Sequence, residues 1–437
     1  MSSPYRSWGR YPDHPPAQVV VLRDRPVELP SAPAPMLAYG LGRSYGDSCQ
    51  NGGGTLLVTR GLDRFIAFDP ERGVLRCESG VSLDAILQLA VPQGWFLPVV
   101  PGTRFVTVGG AIANDVHGKN HHRAGSFSRH VLAFELLRSD GRLQCSRTEN
   151  AALFAATIGG LGLTGLITRV DLQLERVPGP WMQVETLRFA GLEEFFALSA
   201  ASARSHAYSV AWIDCLARDR AFGRGLFTRA DFIATDRPSP RMRGPALPVP
   251  FTPPLPLVGG PGTRWFNRAW YYWPRRQIDV QPYARFLFPL DGLSHWNRLY
   301  GPRGFLQHQC VLPPECDREA LSEILSAIVH AGTGSFLAVL KRFGDFTSEG
   351  LLGFPRPGTT LALDFPNRGA GTLDLLARLD DIVAAAGGAV YPAKDARMSS
   401  THFRRFFPRW REFSQHIDPA FSSSFWRRVT AGDGEAD

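Results

Sequence analysis

Lysine is scarce in this sequence, which has 48 basic side chains but only three lysines, Lys119, Lys341 and Lys394. Arginine therefore supplies nearly all of the positive charge. A buried lysine amine can lose its proton at neutral pH, whereas a guanidinium keeps its charge. Each lysine is therefore a candidate for chemistry that arginine cannot perform, and an ordinary surface charge is the alternative interpretation for each.

Paired cysteines and long apolar segments are also lacking. The six cysteines are scattered, with no C-x-x-C pair and no adjacent histidine-rich cluster, which argues against a disulfide scaffold or zinc site and predicts no bound metal. No uninterrupted apolar stretch is long enough to span a bilayer, and the N-terminal residues do not resemble a secretory signal. We expect a cytoplasmic protein, with peripheral contact to the inner membrane as its closest approach to lipid.

The order of the apolar patterns predicts an α+β protein, and the length of 437 residues suits two domains. Strands and helices alternate in the first half, where Ser82 is the predicted N-cap of a helix. Between residues 304 and 388 the pattern indicates strand, helix, strand, strand and helix, with Asp317 as the predicted cap of the first helix. Such an order is typical of helices that cover one face of an antiparallel sheet.

Two stretches lack this periodicity. Residues 103–128 are rich in small, polar and histidine residues, which predicts a loop wrapped around a ligand. Residues 237–265 are rich in proline, which predicts a mobile linker between ordered segments, with an ordered structural segment as the alternative.

The segment GLGLTG, residues 160–165, matches the G-x-G-x-x-G fingerprint of dinucleotide-binding Rossmann folds. In that fold a strand enters the glycines and a helix leaves them, so that the helix N-terminus faces the pyrophosphate. Here the preceding residues have a helical pattern, and in the following ones Leu166, Val170 and Leu172 alternate with polar residues as in a strand. Because this order is reversed, the sequence predicts a tight turn beside some other ligand and no NAD site.

Two further glycine-rich bends occur in the same half of the chain. Residues 39–47, YGLGRSYGD, follow an apolar run and offer successive backbone N–H groups beside Arg43 and Ser44, which is the chemistry of a phosphate-binding nest. Residues 101–118 provide a second set. Three such bends in one predicted domain suggest that they surround one ligand.

The motifs GLGRSYGD, PGTRFVTVGGAIANDVHGKNHH, GGLGLTG and YPAKDARM together resemble the flavin oxidoreductases of the vanillyl-alcohol oxidase/p-cresol methylhydroxylase (PCMH) superfamily, from about residue 35 to the C-terminus. The resemblance implies a two-domain FAD-binding PCMH-type fold with an inserted antiparallel-sheet substrate domain. The implied parts are a FAD-binding domain over residues 1–178, a substrate domain over 179–388, and a segment over 389–437 that returns to the FAD-binding domain. The implied cofactor is non-covalently bound FAD.

The same resemblance implies the cofactor contacts by position. The first bend would hold the FAD diphosphate, the second would line the dinucleotide, and the third would reach the adenine end. His117 and Tyr391 would lie beside the isoalloxazine ring. The implied cofactor-binding residues are Gly40, Gly42, Arg43, Ser44, Tyr45, Gly46, Gly102, Thr107, Val108, Gly109, Gly110, Asn114, His117, Gly118, Ile167 and Tyr391.

Within the superfamily, the chain most resembles members that oxidise the 2'-hydroxyl of a polyprenyl-phosphoryl pentose to a keto group, the first half of a ribose-to-arabinose epimerisation. This implies that Lys394 orients or deprotonates the hydroxyl, with Tyr45 or His117 assisting. The implied substrate-binding residues are Lys119, Gln307, Gln309, Lys341 and Lys394.

Strand periodicity supports part of this assignment. In GFLQHQCVLP the period of two places Gln307 and Gln309 on one face, and Lys341 ends another strand pattern that we expect to be its neighbour. Together they would form a polar sheet face over the flavin, and two solvent-exposed strand faces are the alternative. The proline-rich residues 237–265 would admit the polyprenyl chain. A quinone or oxygen would reoxidise the flavin, and an epimerase reductase partner would complete the conversion.

Two other functions fit parts of the sequence. An aldonolactone or alditol oxidase of the same superfamily would have a water-soluble substrate and would not need the apolar residues 245–257. A basic nucleic-acid-binding protein would use the net charge of +8 and the clusters YYWPRR and FRRFFPRWR. Those clusters match no known nucleic-acid-binding module, so we expect no nucleic-acid partner.

Overall fold

The computed structural model describes residues 4–31, 35–240, 247–258, 262–273, 277–335 and 337–432. The strands of its first part are β1 (Gln18–Val21), β2 (Met36–Tyr39), β3 (Thr55–Val58), β4 (Phe65–Asp69), β5 (Val74–Glu78), β6 (Trp95–Phe96), β7 (Val131–Arg138), β8 (Gly141–Ser146), β9 (Leu166–Gln173) and β10 (Glu175–Arg176). The α-helices of this part are α1 (Leu83–Ala90), α2 (Val108–Ala113), α3 (His121–Ala124) and α4 (Ala151–Thr157).

Two sheets organise this first part. One is parallel, in the order β1-β3-β2, and the other is antiparallel, in the order β4-β5-β9-β7-β8. The apolar stripe of α1, including Ile86 and Leu87, is buried in one core with Val170 and Leu172 of β9. The predicted cap of α1 is confirmed, because the Ser82 side chain accepts a hydrogen bond from the backbone N–H of Ala85.

The glycines of residues 160–165 follow a helix and precede a strand. α4 ends at Thr157 and β9 begins at Leu166, which confirms the predicted order and the absence of a Rossmann arrangement at this motif.

The later strands are β11 (Trp181–Phe189), β12 (Tyr208–Ile213), β13 (Gly225–Ile233), β14 (Leu247–Pro248), β15 (Ile278–Pro282), β16 (Leu293–Ser294), β17 (Phe305–Leu312), β18 (Ala338–Phe343), β19 (Gly358–Pro366) and β20 (Ala389–Val390). The later α-helices are α5 (Leu192–Ala203), α6 (Gly262–Tyr272), α7 (Tyr283–Leu287), α8 (Asp317–Ala331), α9 (Ala370–Ala385), α10 (Ser400–Phe406), α11 (Trp410–Ser414) and α12 (Ser424–Thr430). The 3-10 turns are Asp47–Cys49, Thr59–Gly61, Val91–Gln93, Phe127–His130, Asp219–Ala221, Pro289–Gly292 and Trp296–Tyr300.

A large antiparallel sheet dominates this second part, with the order β15-β11-β13-β12-β18-β19-β17-β20 over the described residues. Apolar residues of α8 and α9, such as Ile324 and Leu379, share one core with Leu361 of β19. The predicted order of strand, helix, strand, strand and helix is confirmed, and so is the α+β class. None of the helices in the described ranges is both long enough and apolar enough to cross a membrane.

The last residues of the chain return to both parts. β20 joins the large sheet through β17, while the backbone N–H of Met36 donates to Ala420 and the Arg428 guanidinium pairs with Asp47. Residues 389–432 thus tie the large sheet to the N-terminal sheets. The division at residues 178 and 388 stays a prediction.

The expected loop over residues 103–128 contains two short helices, so that prediction is wrong in part. Gly109 and Gly110 weaken the helix propensity of α2. However, the Thr107 side chain caps the helix by accepting from the Gly110 N–H, and Val108 and Ile112 are fully buried. Capping and burial therefore offset the low helix propensity of the two glycines. The sequence pattern alone does not reveal this capping and burial.

Two other local predictions differ from the structure. Asp317 is the first residue of α8 and Cys316 holds the cap position; the Asp317 carboxylate instead accepts from Thr359 Oγ1 at 2.6 Å. In the proline-rich residues 237–265, β14 pairs with β16 and α6 begins at Gly262, so these parts are regular structure and not a linker. Residues 241–246 and 259–261 lie outside the described residues.

Candidate active site

Three glycine-rich bends line a single cavity of about 320 Å³. The first contributes Gly42, the second Gly110 and the third Gly162, and Lys394 reaches the same wall from the C-terminal part of the chain. Gly42 and Gly162 have φ angles of 60° and 75°, in the left-handed region that strains other residues. The glycines therefore allow the backbone itself to turn sharply along the cavity wall.

Most of the predicted site residues line this cavity although they are far apart in the sequence. They come from the N-terminal bends, from strands β17 and β18, and from the C-terminal segment. The predicted residues on the wall are Gly40, Gly42, Arg43, Ser44, Tyr45, Gly102, Thr107, Gly109, Gly110, Asn114, His117, Ile167, Gln307, Gln309, Lys341, Tyr391 and Lys394.

Three residues that were expected to contact the cofactor are not on the wall, and their positions explain why. A Cβ atom at Gly46 would lie 1.6 Å from the Asp395 carbonyl oxygen, so this glycine permits the first bend to touch the C-terminal segment. Val108 is fully buried in the core. A Cβ atom at Gly118 would lie 2.7 Å from Asn120 Oδ1. None of the three lines the cavity, and their cofactor contacts stay predictions.

Lys119 was expected to bind substrate, which stays a prediction, because its side chain does not line this cavity. Its Nζ atom donates to the carbonyl oxygens of Phe286 and, at 3.0 Å, of Leu287 at the end of α7. Burial and the charge of Lys341 lower the pKa of the Lys119 amine to about 7. The side chain therefore holds α7 in place and does not reach the cavity wall.

Polar atoms on the wall are available to a ligand. The atoms Arg43 Nε, Ser48 Oγ and Ser79 Oγ are buried and have no hydrogen-bond partner among the residues that the structure describes. Buried polar atoms without a partner are costly, at about 1–3 kcal/mol each. A bound group with many acceptor oxygens, such as a dinucleotide diphosphate, would satisfy these atoms, so the residues present fit FAD.

The second bend leaves space at the wall. A Cβ atom at Gly102 would meet nothing within 4 Å, whereas one at Gly40 would lie 2.5 Å from Thr107 Oγ1. Gly40 therefore lets the first bend approach the N-terminus of α2, and Gly102 borders open cavity. A ligand could pack directly against the backbone at Gly102.

Lys394 lies beside an aromatic ring and a buried carboxylate. Its Nζ atom is 3.6 Å from the centre of the Tyr45 ring. Burial lowers the pKa of Lys394, the Asp364 carboxylate opposes this shift, and Lys341 adds to it. Burial also raises the pKa of the Tyr45 phenol well above 10.0. The amine can therefore exchange a proton near neutral pH, whereas the phenol stays protonated.

His117 is held between two other predicted residues. Its Nε2 atom lies 2.9 Å from Gln309 Nε2, and its Nδ1 atom lies 3.3 Å from Lys341 Nζ. Burial, followed by the charges of Lys341, His121 and Lys394, lowers the pKa of His117 well below 6.5, so the ring is neutral. A neutral imidazole accepts through one nitrogen only, so His117 lies between two donors and accepts a hydrogen bond from one of them at a time.

The sequence predicted that the strand of Lys341 and the strand of Gln309 are neighbours, and the structure shows that they are not. β18 pairs with β19, which also pairs with β17. β19 therefore separates Lys341 from Gln309 and adds Thr360, Ala362 and Asp364 to the same wall. Sequence analysis missed Asp364, although its alternation with Thr360 on one strand face was a usable signal.

Comparison with known proteins identifies the cofactor domain. A model of the FAD binding domain matches residues 28–147, which include the first and second bends. Decaprenylphosphoryl-β-D-ribose oxidase of Mycolicibacterium smegmatis is 37% identical over 415 residues, covering 90% of this chain and 89% of that protein.

Other similar proteins match to different extents. A Streptomyces coelicolor protein described as uncharacterized is 35% identical over 80% of this chain and 100% of its own length. A D-lactate dehydrogenase of Anaerostipes hadrus is 30% identical over only 31% of this chain and 29% of its own length.

The near full-length match and the cofactor domain agree with the cavity, its glycine bends and its available polar atoms. The chain is therefore a FAD-dependent oxidoreductase that belongs to the decaprenylphosphoryl-β-D-ribose oxidase family.

Proposed function

We propose that this chain oxidises the 2'-hydroxyl of a polyprenyl-phosphoryl ribose to a keto group, with FAD bound non-covalently. The observation that carries the proposal is the buried amine of Lys394, which has a lowered pKa and lies on the wall that the glycine bends share. The identity to decaprenylphosphoryl-β-D-ribose oxidase supports the choice of sugar and lipid.

Oxidation of a secondary alcohol removes the hydroxyl proton and a hydride from the same carbon. When bound, FAD supplies the hydride acceptor. The neutral amine of Lys394 is the base that takes the hydroxyl proton. Tyr45 cannot act as the base, because a phenol with a raised pKa is already protonated; its role is limited to hydrogen bonding.

Asp364 would tune this base. The pKa of its carboxyl is raised overall, because burial outweighs two opposing effects. These are the hydrogen bond that Gln307 donates to it and the charge of Lys394. A carboxylate close to the amine favours the protonated amine and so offsets part of the effect of burial. Asp364 is thus a positioning residue that sets the pH at which Lys394 becomes a base.

Lys341, Gln309 and His117 would orient the sugar. Lys341 is buried, which lowers the pKa of its amine to about 8, and it contacts His117 on the wall. Gln309 Nε2 also donates to Thr360 Oγ1 at 3.2 Å. Side chains that hold one another in this way offer fixed donors to sugar hydroxyls.

The phosphate needs cations other than Lys119, which is tied to α7. The pKa of His295 is lowered by burial and then by the charges of Arg298, Arg43 and Arg10. Arg43 and Trp296, the residue after His295, line the cavity. We place the substrate phosphate near Arg298 and Arg10, which leaves Arg43 to the FAD diphosphate.

Two proposals concern the steps after oxidation. A quinone or oxygen would accept the electrons from the reduced flavin. A separate epimerase reductase would reduce the keto sugar and so complete the inversion at that carbon.

Anaerobic flavin reduction tests the proposed function. The FAD-loaded protein is mixed without oxygen with a polyprenyl-phosphoryl ribose, and in parallel with a free aldonolactone and a free alditol. We expect the flavin absorbance to bleach only with the lipid-linked sugar. Bleaching by the free compounds instead would favour an aldonolactone or alditol oxidase, and a protein that binds no FAD would contradict both.

A further inference from the structure

Helix α6 is oriented with its polar side chains toward the protein. Thr263 and Asn267 are its buried residues, and Asn267 Nδ2 donates to Asp214 Oδ1 at 3.0 Å. A surface helix of a globular protein normally buries its apolar face. The reversed orientation of α6 therefore requires an explanation from what lies outside the protein.

The outer face of α6 is aromatic. Trp265 is 76% exposed, and Trp273, just after the helix, is 63% exposed. Phe266 and Trp270 stack on each other with ring centres 6.0 Å apart and remain largely exposed. Exposed aromatic residues in such density mark an interaction surface, because isolated proteins seldom leave them in water.

The segment before α6 is also apolar and exposed, and it borders the cavity. Leu247, Phe251, Leu255 and Leu257 are each at least 67% exposed. β14 begins this segment and pairs with β16, close to Trp296 of the cavity wall. The segment ends at Val258, which packs against the cluster of Trp296 and Phe305. The apolar surface therefore continues to the edge of the proposed substrate site.

The charge of this region has one sign. Residues 237–278 contain seven arginines and no acidic residue, and Arg264 and Arg268 are exposed on α6. Aromatic side chains mixed with arginine suit the headgroup level of an anionic bilayer. A symmetric dimer through this surface would instead place like charges opposite each other.

We propose that residues 247–258 and 262–273 form a membrane-docking surface that seats on an anionic phospholipid bilayer. The aromatic side chains enter the interface, the arginines pair with lipid phosphates, and the polyprenyl chain of the substrate stays in the bilayer while its sugar enters the cavity. This inference deepens the proposed function and rests on its lipid-linked substrate.

Vesicle binding of the FAD-loaded protein tests this surface without any substrate. Flotation uses vesicles of phosphatidylcholine alone and of an equimolar mixture with phosphatidylglycerol. We expect binding to the mixed vesicles, weaker binding to the neutral ones, and quenching of tryptophan fluorescence by brominated acyl chains. Trp265→Ser with Trp273→Ser should weaken binding at least about tenfold, and Arg264→Gln with Arg268→Gln about fivefold per arginine on anionic vesicles only.

The matched control is Phe65→Ser with Ile66→Ser, which removes two exposed apolar residues from β4, in a different sheet. This control should bind vesicles like the unaltered protein. Unaltered protein that does not bind the mixed vesicles would overturn the proposal. So would a dimer in sedimentation equilibrium that Trp265→Ser with Trp273→Ser abolishes, because a second copy would then cover the surface.

The docking surface and the proposed reaction can fail separately. Flavin reduction by a short-chain, water-soluble phosphoryl ribose needs no vesicle, and we expect it to be unchanged in the tryptophan and arginine variants. Vesicle binding with no reduction by any phosphoryl ribose would contradict the reaction and leave the docking surface standing. Normal reduction without vesicle binding would contradict only the docking surface.

Discussion

The side-chain nitrogen of Lys394 lies 3.6 Å from the centre of the Tyr45 ring, and the backbone of Tyr45 bonds to the residue before Lys394. The N–H of Tyr45 donates to the carbonyl of Ala393 at 2.8 Å, which fixes the first glycine bend against the C-terminal segment. The ring face favours the charged amine, whereas burial favours the neutral one. The Lys394 amine is therefore fixed in position, and it can lose its proton and then act as a base.

Substitution of Lys394 should abolish rapid flavin reduction while FAD stays bound. An arginine at this position keeps the positive charge but cannot accept a proton, so Lys394→Arg should slow anaerobic single-turnover reduction by about 10²–10⁴-fold. Lys394→Met should be equally slow. Bound FAD, measured from its absorbance after gel filtration, is the control for folding, and an arginine variant with an undiminished rate would contradict the base role.

The pH dependence of flavin reduction should reveal the Lys394–Asp364 pair. Only the neutral amine accepts the hydroxyl proton, so the rate should rise with pH across neutrality and then level off. Asp364→Asn removes a charge that raises the pKa of Lys394. We therefore expect the rising limb to move to lower pH by about one unit.

The pH–rate profile of Asp364→Asn also distinguishes an effect of Asp364 on the pKa of Lys394 from a purely structural role. An asparagine can still accept a hydrogen bond from Gln307, and the maximal rate should stay within a few-fold of the unaltered protein. If the role of Asp364 were purely structural, Asp364→Asn would lower the rate at every pH and would not shift the rising part of the pH–rate profile. That result would remove Asp364 from the mechanism.

A methyl group at Gly102 should weaken FAD binding without unfolding the protein. A Cβ atom there meets nothing within 4 Å and borders the cavity, so Gly102→Ala places the methyl where a ligand would pack. The matched control is Gly371→Ala, whose Cβ also meets nothing within 4 Å but which lies in the first turn of α9, off the cavity wall.

FAD release during dilution and thermal unfolding of the apoprotein measure the two effects. We expect faster FAD release for Gly102→Ala only, and an unfolding midpoint that falls in neither variant; alanine in α9 should raise it slightly for Gly371→Ala. Equal FAD retention in both would show that the cofactor does not reach the second bend at Gly102.

The sequence predicts the parts of the site that depend on local chemistry. Glycine-rich bends at Gly42 and Gly162 were evident because positive φ angles demand glycine, and the shared face of Gln307 and Gln309 follows from strand period. Asp364 was missed because its electrostatic effect on Lys394 depends on the position of β19 between β17 and β18, which is a tertiary property.

Other errors have the same origin. Pattern alone gave α2 no helical signal, because Thr107 capping and core burial decide its conformation. Trp265 of α6 was assigned to a linker, because a helix that buries polar residues violates the usual amphipathic rule. The sequence also offered no sign that Lys119 donates to carbonyl oxygens of α7, because the scarcity of lysine does not indicate what each lysine contacts.

Removal of the Lys119 amine should therefore affect stability more than substrate binding. Lys119→Met keeps most of the side-chain volume but leaves the carbonyl oxygens of Phe286 and Leu287 without their donor. A buried acceptor without a partner costs about 1–3 kcal/mol, so the urea midpoint should fall. The control Arg285→Met removes an exposed cation from the same short helix and should leave the midpoint unchanged.

The KM for the phosphoryl sugar should stay constant in both variants, because the Lys119 amine does not line the cavity. A raised KM for Lys119→Met at unchanged stability would instead return this lysine to the substrate site.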